Sequence, residues 1–391
     1  MEWLTGTSKA LMRYGMECEL TYPGKVPLER VVSDTPCAHL RKARAFRAAG
    51  DAAPENILIH GDNLPALKAL LEMKGAGALR NSDGSMGPRL AYMDPPFSTR
   101  LVFRSENGRI AYDDRVGGPR FLEFLRKRLI LLRELLSEDG SIYVHLDWKK
   151  VHYVKVVMDE VFGAENFLND IVWSYGGRGA KHTASQFSRN HDIILWYGKG
   201  EHRVFNRIFA EKRIKKGASG YRMNHDGRWF KTSPRGDYTD ASIEALRKEN
   251  RVYTTRNGNL RIKYFLRDDG NHIIEDKLIG DVWDDIPDAM HLSGAEKTGY
   301  PTQKPEALLS RIIQASSNEG DMVIDAFAGA GTTLSAAEKL GRRWIGIDSG
   351  QLSIDTMEKR LLTIEGTRAP GSRKIYGRPC APFAVYVDGP G

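Results

Sequence analysis

The chain has 391 residues, 41% hydrophobic and 28% charged, a balance that supports a sizeable folded core and argues against disorder along its length. Lys and Arg number 58 against 50 Asp and Glu, and the resulting net charge of +8 suits a polyanionic partner without demanding one. Three widely spaced cysteines (Cys18, Cys37, Cys380) argue against a disulfide framework and a metal site, and the want of a roughly 20-residue apolar run or a signal-peptide pattern argues against membrane insertion and export, leaving the cytoplasm as the expected location.

Residues 1–54 are mixed and turn basic toward their end (Arg41, Lys42, Arg44, Arg47), which reads as a surface extension or helix. Ile57-Leu58-Ile59-His60 then predicts a short strand, Gly61 a turn, and Asp62 the N-cap of a helix carrying Leu64, Leu67, Leu70 and Leu71. A second buried strand over 90–93 stops at Asp94-Pro95-Pro96, because proline cannot donate to a ladder; Asp94 is thereby delivered at the strand's C-terminal edge.

A helix bearing Phe121, Leu125, Leu129, Leu132 and Leu136 leads through the turn Glu138-Asp139-Gly140 to a strand over 141–146, a helix over about 149–161 and a strand over 192–197. Between 199 and 290 the rhythm breaks into short basic and aromatic segments such as Arg228-Trp229-Phe230-Lys231, the mark of an insertion. After Pro301 it resumes with a helix over 305–316, a strand over 322–325, a glycine-rich turn, a helix to Leu340 and a strand over 344–347. The Pro- and Gly-rich stretch 366–391 reads as a peripheral tail. Strands alternating with helices predict an α/β fold around a mostly parallel, doubly wound sheet.

Two places carry chemistry. Asp325-Ala326-Phe327-Ala328-Gly329-Ala330-Gly331-Thr332-Thr333 follows a strand and opens a helix, so its glycines would let a ligand approach the backbone; seventeen residues beyond Gly331, Asp348 ends the next strand where a carboxylate can accept from ribose hydroxyls. The same residues also suit a plain strand-to-helix turn with Asp348 as a cap. No Lys follows Gly-Thr-Thr as a P-loop requires, which disfavours an ATPase.

Asp94-Pro95-Pro96-Phe97 is more specific. Two prolines fix the backbone behind a carboxylate, aiming its side chain and the Pro95 carbonyl at one point beside an aromatic ring. An adenine amine is a poor nucleophile because its lone pair is delocalised; two acceptors holding its hydrogens favour a pyramidal nitrogen facing an electrophilic methyl. Phe97 could stack on a base turned out of the duplex, and a rigid strand-end turn with a solvated Asp is the bland alternative.

With these stretches in place the chain resembles the beta-class DNA amino-methyltransferases, the N-4/N-6 DNA methylases, and is similar to type III modification methylases. The resemblance rests on 58–64 (Leu-Ile-His-Gly-Asp-Asn-Leu), 92–97, 135–142, 298–306 (Thr-Gly-Tyr-Pro-Thr-Gln-Lys-Pro-Glu) and 325–332, in the permuted order in which the catalytic tetrapeptide precedes the cofactor turn. It implies a Rossmann-like, seven-stranded methyltransferase sheet with a catalytic half over 55–198, a target-recognition insertion over 199–290 and an S-adenosylmethionine-binding half over 291–365.

It further implies that Asp325, Phe327, Ala328, Gly329, Gly331 and Thr332 wrap the methionine part of S-adenosylmethionine, that Asp348 binds its ribose and that Asp62 lies near its adenine. Thr302, Gln303 and Lys304 would close the pocket. Asp94 and the Pro95 carbonyl would hold the target amine, with Pro96 fixing the turn and Phe97 on the base. Double-stranded DNA is the implied partner, no metal is expected, and a homodimer and a cognate restriction subunit are left open.

Two departures stand out: Phe97 replaces the commoner Tyr, and the chain is shorter than long modification subunits. Arg189-Asn190-His191 could approach the base or simply pack a loop. Asp94 favours adenine over the cytosine N4 amine, for which the family more often places Ser there. Protein glutamine methylation, with Asn-Pro-Pro-Tyr sites, and a non-catalytic DNA-binding subunit are the remaining alternatives.

Overall fold

Ile57 to Ile59, Leu90 to Met93 and Met322 to Ile324 are uniformly buried strand segments, the pattern of a parallel sheet covered on both faces. The computed structural model describes residues 19–46, 55–96, 102–104, 108–113, 117–176, 185–294 and 296–389. It divides into two units, Met1–Asn206 with Asp281–Gly391, and Arg207–Gly280.

The first unit opens with α1 (Leu28–Asp34), β1 (Leu40–Phe46), β2 (Asn56–His60), α2 (Asn63–Gly75) and β3 (Leu90–Met93). A hairpin of β4 (Val102–Arg104) and β5 (Ile110–Asp113) follows, then α3 (Gly118–Leu135), β6 (Ser141–Leu146), α4 (Val151–Phe162), β7 (Phe167–Ser174) and β8 (His191–Gly198).

The second unit holds β9 (Phe209–Lys215), β10 (Tyr221–Met223), β11 (Trp229–Pro234), α5 (Asp240–Lys248), β12 (Val252–Thr254), β13 (Leu260–Phe265), β14 (Arg267–Asp268) and β15 (His272–Leu278). Its strands form a four-stranded and a three-stranded antiparallel sheet, and Phe230, Ile243, Ile262 and Ile273 are buried in it.

The chain returns to the first unit through β16 (Val282–Trp283), α6 (Glu306–Ser316), β17 (Met322–Asp325), α7 (Thr332–Lys339), β18 (Arg343–Asp348), α8 (Gln351–Leu362) and β19 (Phe383–Asp388). Among the described residues no helix is long and apolar enough to cross a membrane.

The main sheet runs β1-β19-β2-β18-β17-β3-β6-β8-β7-β16. Its inner run, β2-β18-β17-β3-β6-β8-β7, is the expected seven-stranded sheet: neighbours from β2 to β6 are parallel, and β8 runs antiparallel to both β6 and β7. Three edge strands enlarge it to ten, with β19 parallel to β2, β1 antiparallel to β19, and β16 parallel to β7.

Both chain ends therefore depart from expectation. Arg41, Lys42 and Arg44, read as part of a surface extension or helix, lie on edge strand β1, whose side chains are largely exposed. The stretch 366–391, read as peripheral, contributes β19, in which Phe383, Ala384 and Val385 are fully buried and Phe383 stacks on Phe46 at 4.7 Å. The physical reason is local: Phe383-Ala384-Val385-Tyr386-Val387 is an apolar, strand-favouring run whose burial outweighs the Pro- and Gly-rich flank before it.

Because the inner strands are parallel, their C-terminal ends share one edge of the sheet. Gly61 and Asp62 follow β2, Asp94 follows β3, and Asp325 and Asp348 end β17 and β18. The start of antiparallel β8 brings Asp192 to that same edge, the crevice where ligands of doubly wound sheets bind.

Candidate active site

At the end of β17 the chain is bent by its own carboxylate. Asp325 accepts from the Phe327 N–H at 2.9 Å and from the Thr333 hydroxyl at 2.5 Å, tying the strand end to the first turn of α7. Gly329 (φ +49°) and Gly331 (φ +70°) occupy the left-handed region between them. A Cβ on Gly331 would stand 2.6 Å from Met357 Cγ, so this glycine permits close packing of the turn on α8.

Asp348 secures the turn from the neighbouring strand. Its Oδ2 accepts from the Gly329 N–H at 2.9 Å and its Oδ1 from the Gly350 N–H at 2.8 Å, while Ser353 donates to the Gly329 carbonyl at 2.6 Å. Asp62 caps α2 by accepting from the Leu64 N–H and also takes 2.8 Å contact from Arg128 Nη2.

Asp94 faces this turn from β3, and its Oδ2 accepts from Lys304 Nζ at 2.5 Å. The preceding loop is internally braced: Gln303 accepts from the N–H and hydroxyl of Thr298 and donates to the Glu296 carbonyl at 2.8 Å, and Thr302 holds a positive φ of 60°. Thr332 donates to the Lys304 carbonyl at 3.2 Å, fastening the loop to α7.

A cavity of about 790 Å³ joins these pieces. Asp62, Asp94, Pro95, Pro96, Thr302, Gln303, Lys304, Asp325, Phe327, Ala328, Gly329, Thr332 and Asp348 all line it, whereas Gly331 lies outside the lining and Phe97 lies outside the described residues. Its volume is within the range of small-molecule and cofactor sites. Six carboxylates and two cations, Arg128 and Lys304, stand in the described wall.

Burial pushes the Asp325 carboxyl up to about 7; the Thr333 and Phe327 hydrogen bonds oppose this, and the nearby charges of Asp94 and Asp348 add to it. Burial also raises Asp348 against the pull of its two backbone N–H donors.

Sequence reasoning missed one polar chain. The Tyr92 hydroxyl and His145 Nδ1 are 2.9 Å apart, His145 Nε2 and Asp192 Oδ2 are 3.2 Å apart, and Asp192 lines the cavity with Tyr175 and Trp173. Although burial works to raise Asp192, the His145 hydrogen bond and charge, with the charge of Lys304, hold it below the usual carboxylate range. The available signal was an acidic residue opening an otherwise apolar strand.

A doubly wound sheet with a glycine turn after one strand, acids on its two neighbours and Asp-Pro-Pro in the shared cavity defines an α/β methyltransferase. The chain belongs to the DNA methylase family, whose model matches residues 89–359. It is 34% identical over 377 residues to the type II methyltransferase M.EcaI of Enterobacter cloacae, covering 90% of this chain and 79% of that protein.

It is also 26% identical over 427 residues to the "Probable type III restriction-modification enzyme HindVI Mod subunit" of Haemophilus influenzae, covering 86% of this chain and 54% of that protein. Among solved structures it is similar to the PvuII DNA methyltransferase (cytosine-N4-specific), at a TM-score of 0.46 and 14% identity over 79% of this chain and 87% of that one. S-adenosylmethionine is the methyl donor that the sequence resemblance implies for this cavity. A cavity rich in carboxylates and edged by Phe124 and Phe327 fits a donor whose sulfonium and amine are cationic and whose adenine is flat and apolar.

Proposed function

We propose that this protein is a site-specific methyltransferase acting on the N6 amine of an adenine turned out of double-stranded DNA. The observation that carries the reading is the meeting of Asp94, held at a proline-stopped strand end, with the Asp325–Gly329 turn in one cavity. S-adenosylmethionine supplies an electrophilic methyl on sulfur. Asp325, Phe327, Ala328, Gly329 and Thr332 hold its methionine end, Asp348 its ribose and Asp62 the region of its adenine; Gly331 shapes the turn, and Thr302 and Gln303 close the cavity.

Asp94 and the Pro95 carbonyl accept the two hydrogens of the target amine, leaving its lone pair directed at the methyl carbon. Attack on that methyl would form the N–C bond as the S–C bond broke, and the proton lost by the methylated nitrogen would pass by way of the Asp94 carboxylate to solvent. Phe97 stacks on the base, returning part of the few kcal/mol of unstacking. Lys304 donates to Oδ2 of Asp94, a contact beyond the pocket closure expected of it from sequence, and the carboxylate keeps further acceptor positions for the amine.

The unit Arg207–Gly280 supplies target recognition in this reading. Its support is chemical: Arg228 stacks on Phe265 at 3.8 Å and Arg222 on Tyr253 at 4.8 Å, pairing cations with flat rings on its surface. Expression in a host without DNA methylation, followed by genome-wide mapping of modified bases, is expected to show N6-methyladenine within one recurring sequence. N4-methylcytosine in its place would overturn the choice of adenine, and an unmodified genome would overturn the reading.

Titration of Asp325 gives a second test. A cationic donor favours the carboxylate, so binding below a free-protein value of about 7 must expel a proton. Cofactor affinity is therefore expected to be flat above that pH and to weaken below it, approaching tenfold for each pH unit, about 1.4 kcal/mol. Calorimetric titration on both sides of that value checks this, and Asp325→Asn should flatten the profile.

A further inference from the structure

A second cavity, of about 710 Å³, is enclosed by the 293–298 loop, α6, α7, α8 and the 367–373 turn. Its charge is opposite to that of the cofactor cavity: seven basic side chains and three acidic ones line it among the described residues. The buried floor is itself positive. Glu306 takes Lys339 at 2.7 Å and Arg360 at 3.2 Å, so two cations share one carboxylate.

Around the mouth, the side chains of Lys359, Arg368 and Arg373 make no hydrogen bond or ion pair among the described residues. Asp355 is engaged by Arg109 at 2.8 Å, which removes it as their counter-charge. Ser310 also lines the cavity; it is 6% exposed and its hydroxyl has no hydrogen-bond partner among the described residues. A buried hydroxyl without a partner is costly, and here it lines the same cavity as the three cations of the mouth.

We propose that this second cavity is a phosphate-binding site. Guanidinium forks match the oxygens of a phosphate, which accept two donors at once, and an ammonium and a buried hydroxyl supply the remaining hydrogen bonds. The phosphate comes either from the DNA backbone or from a free phosphate compound. The choice of target base has no bearing on the site, so its failure and that of the N6-adenine reading are separate results.

The experiment compares the full-length protein with its Arg368→Ala/Arg373→Ala variant, both positions being exposed. S-adenosylmethionine affinity serves as the check on folding. DNA affinity is measured by anisotropy over a salt series, and tripolyphosphate binding by calorimetry. For a backbone site, the slope of log K against log salt flattens by about two, since each lost phosphate contact removes about 0.9.

For a free phosphate compound, the DNA slope is unchanged, while tripolyphosphate binds the parent protein and fails to bind the variant. Lys359→Ala, on the surface of α8, repeats either effect at about half size and covers the case of a misfolded double variant. An unchanged DNA slope together with no tripolyphosphate binding to the parent protein overturns the proposal.

Discussion

Asp94→Ala is expected to lower kcat for DNA methylation by about 1,000-fold or more, the loss typical of removing one electrostatic anchor from a reacting group, while the dissociation constant of S-adenosylmethionine stays within about threefold. The carboxylate meets Lys304, and among the described residues no hydrogen bond joins it to the glycine turn. Its removal is therefore expected to spare the turn that the proposal assigns to the donor. In the proposed mechanism it takes away the acceptor that draws the amine out of conjugation, an interaction realised most fully as the N–C bond forms, so kcat is expected to fall more than KM rises.

Truncation also removes the carboxylate that Lys304 donates to, in a site where the lysine side chain is only 12% exposed. Part of any loss could then come from a displaced loop. Asp94→Asn separates the two effects, since its amide oxygen can still accept from Lys304 while its NH2 replaces an acceptor offered to the target amine. Single-turnover methylation beside cofactor titration reads both variants. Transfer retained by either variant at the parent rate removes Asp94 from the mechanism.

The fold was legible where punctuation was sharp. Proline ended β3 at Met93, and the glycine turn ended β17 at Asp325, so two strands and the carboxylates beyond them could be placed from local chemistry alone. The strand inside 366–391 was overlooked although its apolar run Phe383 to Val387 is visible, because a Pro- and Gly-rich flank precedes it and the partners that bury it, Phe46 and β2, lie more than three hundred residues earlier in the chain. Local composition contains no trace of such a partner.

The site divides the same way. Residues presented by strand ends were readable, and those defined by a long-range partner were not. Lys304 was expected in the pocket wall, but its pairing with Asp94 across 210 residues was not, and Asp192 becomes a cavity residue only because β8 runs antiparallel against β6 and sets its first residues beside His145. A sequence pattern proposes which side chains can do chemistry; the register of the sheet decides which of them meet.

Gly329→Leu is expected to raise the dissociation constant of S-adenosylmethionine at least about 100-fold, equivalent to about 2.7 kcal/mol, as measured by calorimetry. Gly329 lines the cavity, and its backbone is clamped on both sides: its N–H donates to Asp348 and its carbonyl accepts from Ser353. The chain therefore cannot retreat to make room. A Cβ would stand 3.5 Å from Tyr300 Cε1, an ordinary contact, whereas the rest of a leucine must extend beyond it.

The positive φ of 49° adds a strain of about 1–2 kcal/mol for any L side chain. Gly329→Ala carries that strain with little added bulk and is expected to lose stability while keeping most of its cofactor affinity. Gly331→Ala, outside the cavity lining but driven against Met357, should likewise act mainly on stability. If leucine at 329 leaves the dissociation constant unchanged, the turn is only a strand-to-helix connection, and the donor must lie elsewhere in the cavity.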